Sequence, residues 1–166
     1  ANKRLVVVSL MAGIGIKTIQ QELGVTQVVR VMPNTPARIG KGISVWHASA
    51  EVTPVQKKHV CAILKSLGNE VEVPEESMLD AATAVSGSGP AYVFLFCEAL
   101  VSAAQRVGLP PGVAERLVAD TVLGSLCLQQ ESGDAFGALQ RQVTSKGGTT
   151  EAALTVFGEK DFKNIL

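Results

Sequence analysis

The sequence predicts an α/β segment built on a doubly wound sheet, followed by an all-α segment. Three observations carry this. Apolar β-branched runs alternate with helical patterns up to residue 73, as strands covered on both faces by helices require. No strand signal appears after Pro74. From 91 to 101 the only charged residue is Glu98, so a helix there is apolar all round and must be covered on every side.

The elements follow in order. Residues 5–9 form a continuous apolar run and read as a strand. Residues 17–23 read as a short helix closed by Gly24. "QVVRVM", 27–32, is a second strand, halted by Pro33, and "GISVWH", 42–47, a third. Thr53 can cap a helix with Pro54 at its first position, running to Leu67 and ending at Gly68. "EVEV", 70–73, is a fourth strand. Beyond Pro74, helices are predicted over 76–86, 88–107 with Gly108 as stop, 109 to about 130 with Gly133 as stop, 134–143 and 150–157. The domain boundary is placed at this change of pattern, giving 1–75 and 76–166. A domain of this size is hard pressed to surround the apolar helix beginning at Pro90. That helix is therefore expected to pack against another chain, the alternative being the central helix of a single bundle.

Composition narrows the function classes. Lys plus Arg and Asp plus Glu are 15 each, so net charge gives no reason to expect nucleic acid or an anionic membrane as partner. Aromatic residues make up 4%, too few for base-stacking platforms. Cys61, Cys97 and Cys127 lie far apart in apolar segments, without metal-ligand spacing. They read as buried free thiols and suit a reducing, cytoplasmic compartment. The longest apolar stretch, 90–97, is too short for a membrane span of about 20 residues. The chain opens almost directly on a strand and stops at "FKNIL" without a cap, as a fragment cut at both ends would.

"LVVVSLMAGIGIKT", 5–18, turns from strand to helix through glycines. The dinucleotide fingerprint G-x-G-x-x-G needs a third glycine and an acid about 20 residues on. Here the third position is Thr18, and the next strand ends in Met32, Pro33 and Asn34. This is a later turn of such a sheet, which can touch a ligand at the carboxyl ends of the strands or simply connect. Three further stretches stand out. "MPNTP", 32–36, offers Asn34 and Thr35 in a loop stiffened by two prolines; a plain turn is the alternative. "TAVSGSGPAY", 83–92, presents backbone amides ahead of a helix, an anion-binding arrangement; close packing of two elements explains it equally well. "VTSKGGTTEAAL", 143–154, is a second such bend with Ser145, Thr149 and Thr150 around paired glycines; a helix cap by Thr150 is the alternative. No nucleophilic triad or carboxylate pair emerges. His47 and His59 read as structural or solvated, and Glu76 is the one member of an acidic helix start worth following.

Together "VVRVMPNTPA", "DAATAVSGSGPAYVFLFCEAL", "GLP", "DTVLG" and "QVTSKGGTTEAAL" resemble pyrroline-5-carboxylate reductase, in order and spacing. The resemblance implies the C-terminal part of a Rossmann-type parallel sheet domain, then an all-α domain for dimerisation and substrate binding. It implies hydride transfer from NADPH or NADH to the imine carbon of 1-pyrroline-5-carboxylate, giving L-proline. It implies a homodimer through the helical domain, with a decamer as the further assembly, and no nucleic acid or membrane partner. Leu10, Met11 and Ala12 resemble the turn along the cofactor; Pro33, Asn34 and Thr35 resemble the loop near the nicotinamide. Gln142 stands where the family has a cofactor-contacting side chain. Thr83 resembles the hydroxyl facing the substrate nitrogen and is assigned as catalytic; Glu76 resembles a substrate-site acid. Val143, Ser145, Gly147, Gly148, Thr149 and Thr150 resemble the loop that clasps the substrate carboxylate. Lys146 replaces the usual proline, Met11 the common alanine, and the first Rossmann half with its phosphate contacts is missing. Two other readings remain: a catalytically silent dimerisation fragment, and a related two-domain hydroxy-acid dehydrogenase. The second lacks a suitably placed lysine or histidine in the helical half.

Overall fold

The structure is a computed structural model describing residues 5–165. Four strands form one sheet in the order β1 (Val7–Ser9), β2 (Val28–Pro33), β3 (Gly42–Ala48), β4 (Gly68–Glu72). The β1/β2 and β3/β4 pairs are parallel, and β2/β3 is antiparallel. The parallel pairs are joined through α1 (Ile16–Leu23) and α2 (Pro54–Lys65), because a parallel connection needs a crossover of a dozen or more residues. Only 34–41 join β2 to β3. That stretch folds as one 3₁₀ turn, Thr35–Ile39, and sends the chain straight back. The sheet is thus mostly parallel, with one antiparallel pair.

Alternation along β2 sorts the core. Val29 and Val31 face α2 and pack with Trp46, Ala48, Val52, Val60 and Leu64. On the other face Val28 packs with Ile16 and Ile19 of α1, and Met32 packs with Val45 and Leu79. Arg30 lies between these last two clusters, 4% exposed. The period of two places it there. Helix α2 starts with the expected cap, extended to a capping box: Thr53 Oγ1 accepts from Gln56 N, and Gln56 Oε1 accepts from Thr53 N. Helix α1 ends at Gly24 in the left-handed conformation, φ 62°.

Three of the boundary differences from the sequence reading have a plain physical reason. Gly68 opens β4 rather than closing α2, which ends at Lys65 with Ser66 as cap. Pro33 is the last residue of β2, not a residue outside it; a strand end tolerates the missing N–H. The helix expected over 76–86 begins later, as α3 (Met78–Ala82), and widens into a π-helical segment, Thr83–Gly87.

Beyond this lie α4 (Gly89–Arg106), α5 (Pro111–Ser132), α6 (Phe136–Gln142), α7 (Thr149–Glu159) and α8 (Phe162–Ile165). Gly133 ends α5 with φ 70°. By packing, the chain divides into compact units 1–96 and 97–166. This division and the change of element type at Pro74 are separate properties. Residues just past Pro74 pack with the sheet because Leu79, fully buried, sits against Met32 and Val45.

The helical part buries little of itself. No residue of α4 is buried, and Phe94 and Leu95 are 66% and 65% exposed. One chain therefore does not wrap α4 as a central bundle helix. The thiols are less hidden than expected: Cys127 is exposed, Cys61 and Cys97 half-buried. Burial, then the nearby Glu70 carboxylate, pushes the Cys61 thiol up. The helical run 78–106 is also long and apolar enough to cross a membrane by length and composition, which the 90–97 stretch alone is not.

Candidate active site

Two groups of predicted residues are described, one in each compact unit. In the sheet unit, β1 runs out at Ser9 into an exposed turn of Leu10, Met11 and Ala12. Ser9 is buried and its Oγ accepts from Met11 N at 3.3 Å, which fixes the turn. Gly13 has φ 74°, with open space where a side chain would stand. A backbone so exposed can lie along a flat ligand.

The start of α1 is different. Its Ile16 N–H donates to Glu76 Oε1 at 2.7 Å. The same oxygen accepts from Arg30 Nη1 at 3.1 Å, and Arg30 Nη2 donates to Asp80 Oδ1 at 3.1 Å. The anion-seeking end of α1 is thus filled by the chain's own carboxylate. Glu76, expected as a substrate-site acid, is bound to Arg30 and α1. Arg30 carries one buried nitrogen, Nε, with no partner. Gly13, Gly15, Arg30, Glu76, Ser77 and Asp80 line a shallow open cavity beside this network.

Asn34 has both ends of its amide engaged. Its Oδ1 accepts from Ile43 N at 3.0 Å and its Nδ2 donates to Ser86 O at 3.2 Å. Pro33 is half-buried and Thr35 exposed at the start of the 3₁₀ turn. Thr83 opens the π-helical segment, half-buried, and its Oγ1 donates to Leu79 O at 2.6 Å. With its proton so placed, the hydroxyl offers lone pairs outward and acts as an acceptor. Ser86 Oγ likewise donates to Ala82 O, at 2.9 Å. Both are side-chain bonds to the carbonyl four residues back, which regular helices also carry.

In the helical unit, Gln142 is the last residue of α6, and Val143 follows, 67% exposed. Residues 145–148 form a tight turn closed by Gly148 N donating to Ser145 O at 3.0 Å, with Gly147 at φ 73°. Gly148 is the N-cap of α7, without any side-chain cap. The alternative reading of this bend, a helix cap by Thr150, is not what forms; Thr149 and Thr150 stand in the first turn, where amides lack helical acceptors. Glu151 Oε2 accepts from Gly147 N at 2.7 Å.

Arg30 and Glu151 were not singled out from the sequence. The signal for Arg30 was available as the lone charge within "VVRVM". Glu151 stands three residues after the capping Gly148, the position from which an acid reaches back.

A family model described as pyrroline-5-carboxylate reductase dimerisation matches residues 76–166. The chain belongs to the pyrroline-5-carboxylate reductase family. A reductase of that name from Synechocystis is 41% identical over 166 residues, covering 100% of this chain and 61% of the relative. The Escherichia coli reductase is 40% identical over 163 residues, covering 98% of this chain and 60% of the relative. Among solved structures, a pyrroline-5-carboxylate reductase from Coxiella burnetii superimposes with a TM-score of 0.93 at 36% identity, over 99% of this chain and 62% of that one. A Plasmodium falciparum pyrroline carboxylate reductase with NADP bound gives 0.91 at 33%, over 98% and 65%. The chain spans about three fifths of the length of the curated reductases it matches. The architecture is accordingly part of a Rossmann-type domain followed by the helical part of a pyrroline-5-carboxylate reductase.

Proposed function

We propose that this chain is part of an enzyme that reduces 1-pyrroline-5-carboxylate to L-proline with NADPH or NADH, and that the functional division is 1–75 for cofactor binding and 76–166 for substrate binding and dimerisation. The family match beginning at residue 76 carries the reading. The turn at Leu10, Met11 and Ala12 fits a cofactor lying along it, being exposed backbone with an unobstructed glycine beside it. Pro33, Thr35 and Gln142 are the further residues assigned to its binding. When bound, the nicotinamide supplies the hydride.

The chain's own residues bind and orient the imine. A protonated imine is the better hydride acceptor and carries an N–H. Thr83, with its proton on Leu79 O, accepts from that N–H and holds the C=N carbon in place. As the carbon takes the hydride, the π pair moves to nitrogen and leaves an amine, still held by the same lone pairs. The ring carboxylate meets the start of α7, where the amides of Thr149 and Thr150, the Ser145 hydroxyl and the Lys146 cation favour an anion. Val143, Gly147 and Gly148 shape that bend. Orientation and electrostatics are the protein's share.

The test is consumption of reduced nicotinamide driven by pyrroline-5-carboxylate in the full-length protein. Thr83→Ala is expected to lower kcat by about tenfold or more, as loss of one hydrogen bond to a charged group implies. Gly148→Val is expected to raise KM for the imine, because a Cβ at Gly148 already meets Ser145 O at 3.1 Å. Wild-type turnover in both variants overturns the site assignment.

A homodimer through the helical part is proposed on the exposure of α4; the decamer is a further step of the same proposal. Bilayer insertion of 78–106 fits poorly. Leu79 is buried in the sheet, Asp80 pairs with Arg30, and Glu98 and Arg106 punctuate the remainder. A cytoplasmic enzyme without a nucleic-acid partner agrees with the free thiols and the balanced charge. Light scattering on this chain is expected to give twice the 17.4 kDa monomer mass. A monomer at micromolar concentration sinks the dimer. A dimer whose full-length form consumes no cofactor favours the silent dimerisation reading.

A further inference from the structure

We propose that Asn34 is a positioning residue, a clamp that ties the end of β2 to the π-helical segment and so fixes where the Thr83 hydroxyl points; the proposal rests on the imine reductase reading above. The observation is the bidentate use of one amide. Asn34 Oδ1 takes the Ile43 N–H at the start of β3, and Asn34 Nδ2 gives a proton to Ser86 O. Ser86 lies inside the five-residue segment Thr83–Gly87. An i→i+5 turn is rare and holds one residue more than the regular helix around it accommodates. Its register is not fixed by propensity. "TAVSG" includes a β-branched Thr and Val and a glycine, none of which favours a helical interior.

Pro90, four residues after Ser86, has no N–H and its ring crowds the Ser86 carbonyl, so a regular turn is disfavoured there and the Ser86 oxygen needs a partner from elsewhere. The segment's own bonds, Thr83 Oγ1 to Leu79 O and Ser86 Oγ to Ala82 O, form as readily in a regular helix, where both acceptors are four residues back. The Asn34 bond differs because it comes from another element and meets the backbone itself. Asn34 Nδ2 supplies the donor that Pro90 cannot, and so fixes the direction of the Ser86 carbonyl. Thr83, three residues earlier on the same segment, is held with it. Packing supports the clamp from below, since Leu79, whose carbonyl takes the Thr83 proton, is fully buried against Met32 and Val45. Asn34 then serves the reaction through the segment it holds, with one N–H and one lone pair of its amide committed to the protein.

The decisive variant is Asn34→Asp in the full-length protein. It preserves shape and keeps the acceptor for Ile43 N–H, so a residue needed only to hold β3 tolerates it. It removes the donor to Ser86 O and sets a carboxylate oxygen against a carbonyl. The expected result at neutral pH is a fall in kcat of about tenfold, with KM for the reduced cofactor changed less than about threefold. The primary isotope effect with deuterated cofactor should rise as hydride transfer becomes slower.

A second readout is the pH profile. Below the carboxyl range near 4 to 5, the aspartic acid regains an O–H donor while still accepting from Ile43 N. The ratio of variant to wild-type kcat is therefore expected to climb as pH falls. Asn34→Ala, lacking both bonds at every pH, should show no such recovery. An Asn34→Asp enzyme with wild-type kcat and isotope effect at neutral pH overturns the clamp. So does a deficit that is independent of pH and matched by a rise in cofactor KM, which would make Asn34 a cofactor ligand. Failure of the wild-type enzyme to reduce the imine at all would overturn the function instead.

Discussion

Gly68→Ala is expected to prevent the sheet unit from folding, the largest effect of any single methyl group in the molecule. Gly68 sits at φ 134°, in a region that residues with a Cβ rarely adopt. It also pairs directly with Gly42 across β3 and β4. A Cβ there would overlap Gly42 O, well inside contact distance, and lie 2.6 Å from Gly42 N. Gly42 has little room to withdraw, because its N–H donates to Leu67 O at 2.9 Å and Ala37 already fills the space where a side chain on Gly42 would stand. Rotating φ out of the left-handed region would break the β3/β4 register. Strain and overlap together exceed about 4 kcal/mol, a large part of the stability of a small domain. Fluorescence of Trp46, the only tryptophan and 1% exposed in this unit, reads the outcome. The variant should show the solvated emission of the denatured chain without urea. A native spectrum and a cooperative melt would refute the argument.

The second large effect belongs to Arg30. Arg30→Leu keeps the strand apolar but leaves Glu76, 31% exposed, without its cation. Breaking a buried pair from one side costs about 3–5 kcal/mol. Asp80 is 74% exposed and can turn to water, so about 2–3 kcal/mol is expected here. The companion variant separates charge from packing. In Arg30→Leu/Glu76→Gln, the amide oxygen still accepts from Ile16 N while the stranded charge is gone. More than half the loss should return. Urea midpoints followed at Trp46 give both values without contribution from the helical unit. Equal midpoints for the single and double variants would mean that the charge is not what Arg30 neutralises.

Much of the fold was legible because it rests on local signals. Thr53 and Pro54 mark the start of α2, Gly24 and Gly133 the ends of α1 and α5, and the apolar runs the strands. What the sequence hid were tertiary overrides. Gly68 reads as a helix stop, yet its left-handed geometry serves a strand pair with a residue 26 positions earlier, Gly42. Residues 76 and 77 read as the first turn of a helix, but Glu76 is drawn to Arg30 and Ile16, and α3 starts only at Met78. The wide turn at Thr83 is invisible to periodicity, since regular and widened helices share the same residues. The site was legible in outline because its bends are punctuated by glycine and proline. The commitments of Glu76, Asn34 and Glu151 were not, since each depends on which backbone groups arrive beside it.

The bareness of α4 reaches further than assembly. Among the described residues of the second unit only Ala114 and Val118 are buried. A segment that shields so little from water has almost no fold of its own to keep. In the proposed dimer its melting temperature would rise with protein concentration, as for any body whose folded form exists chiefly in company.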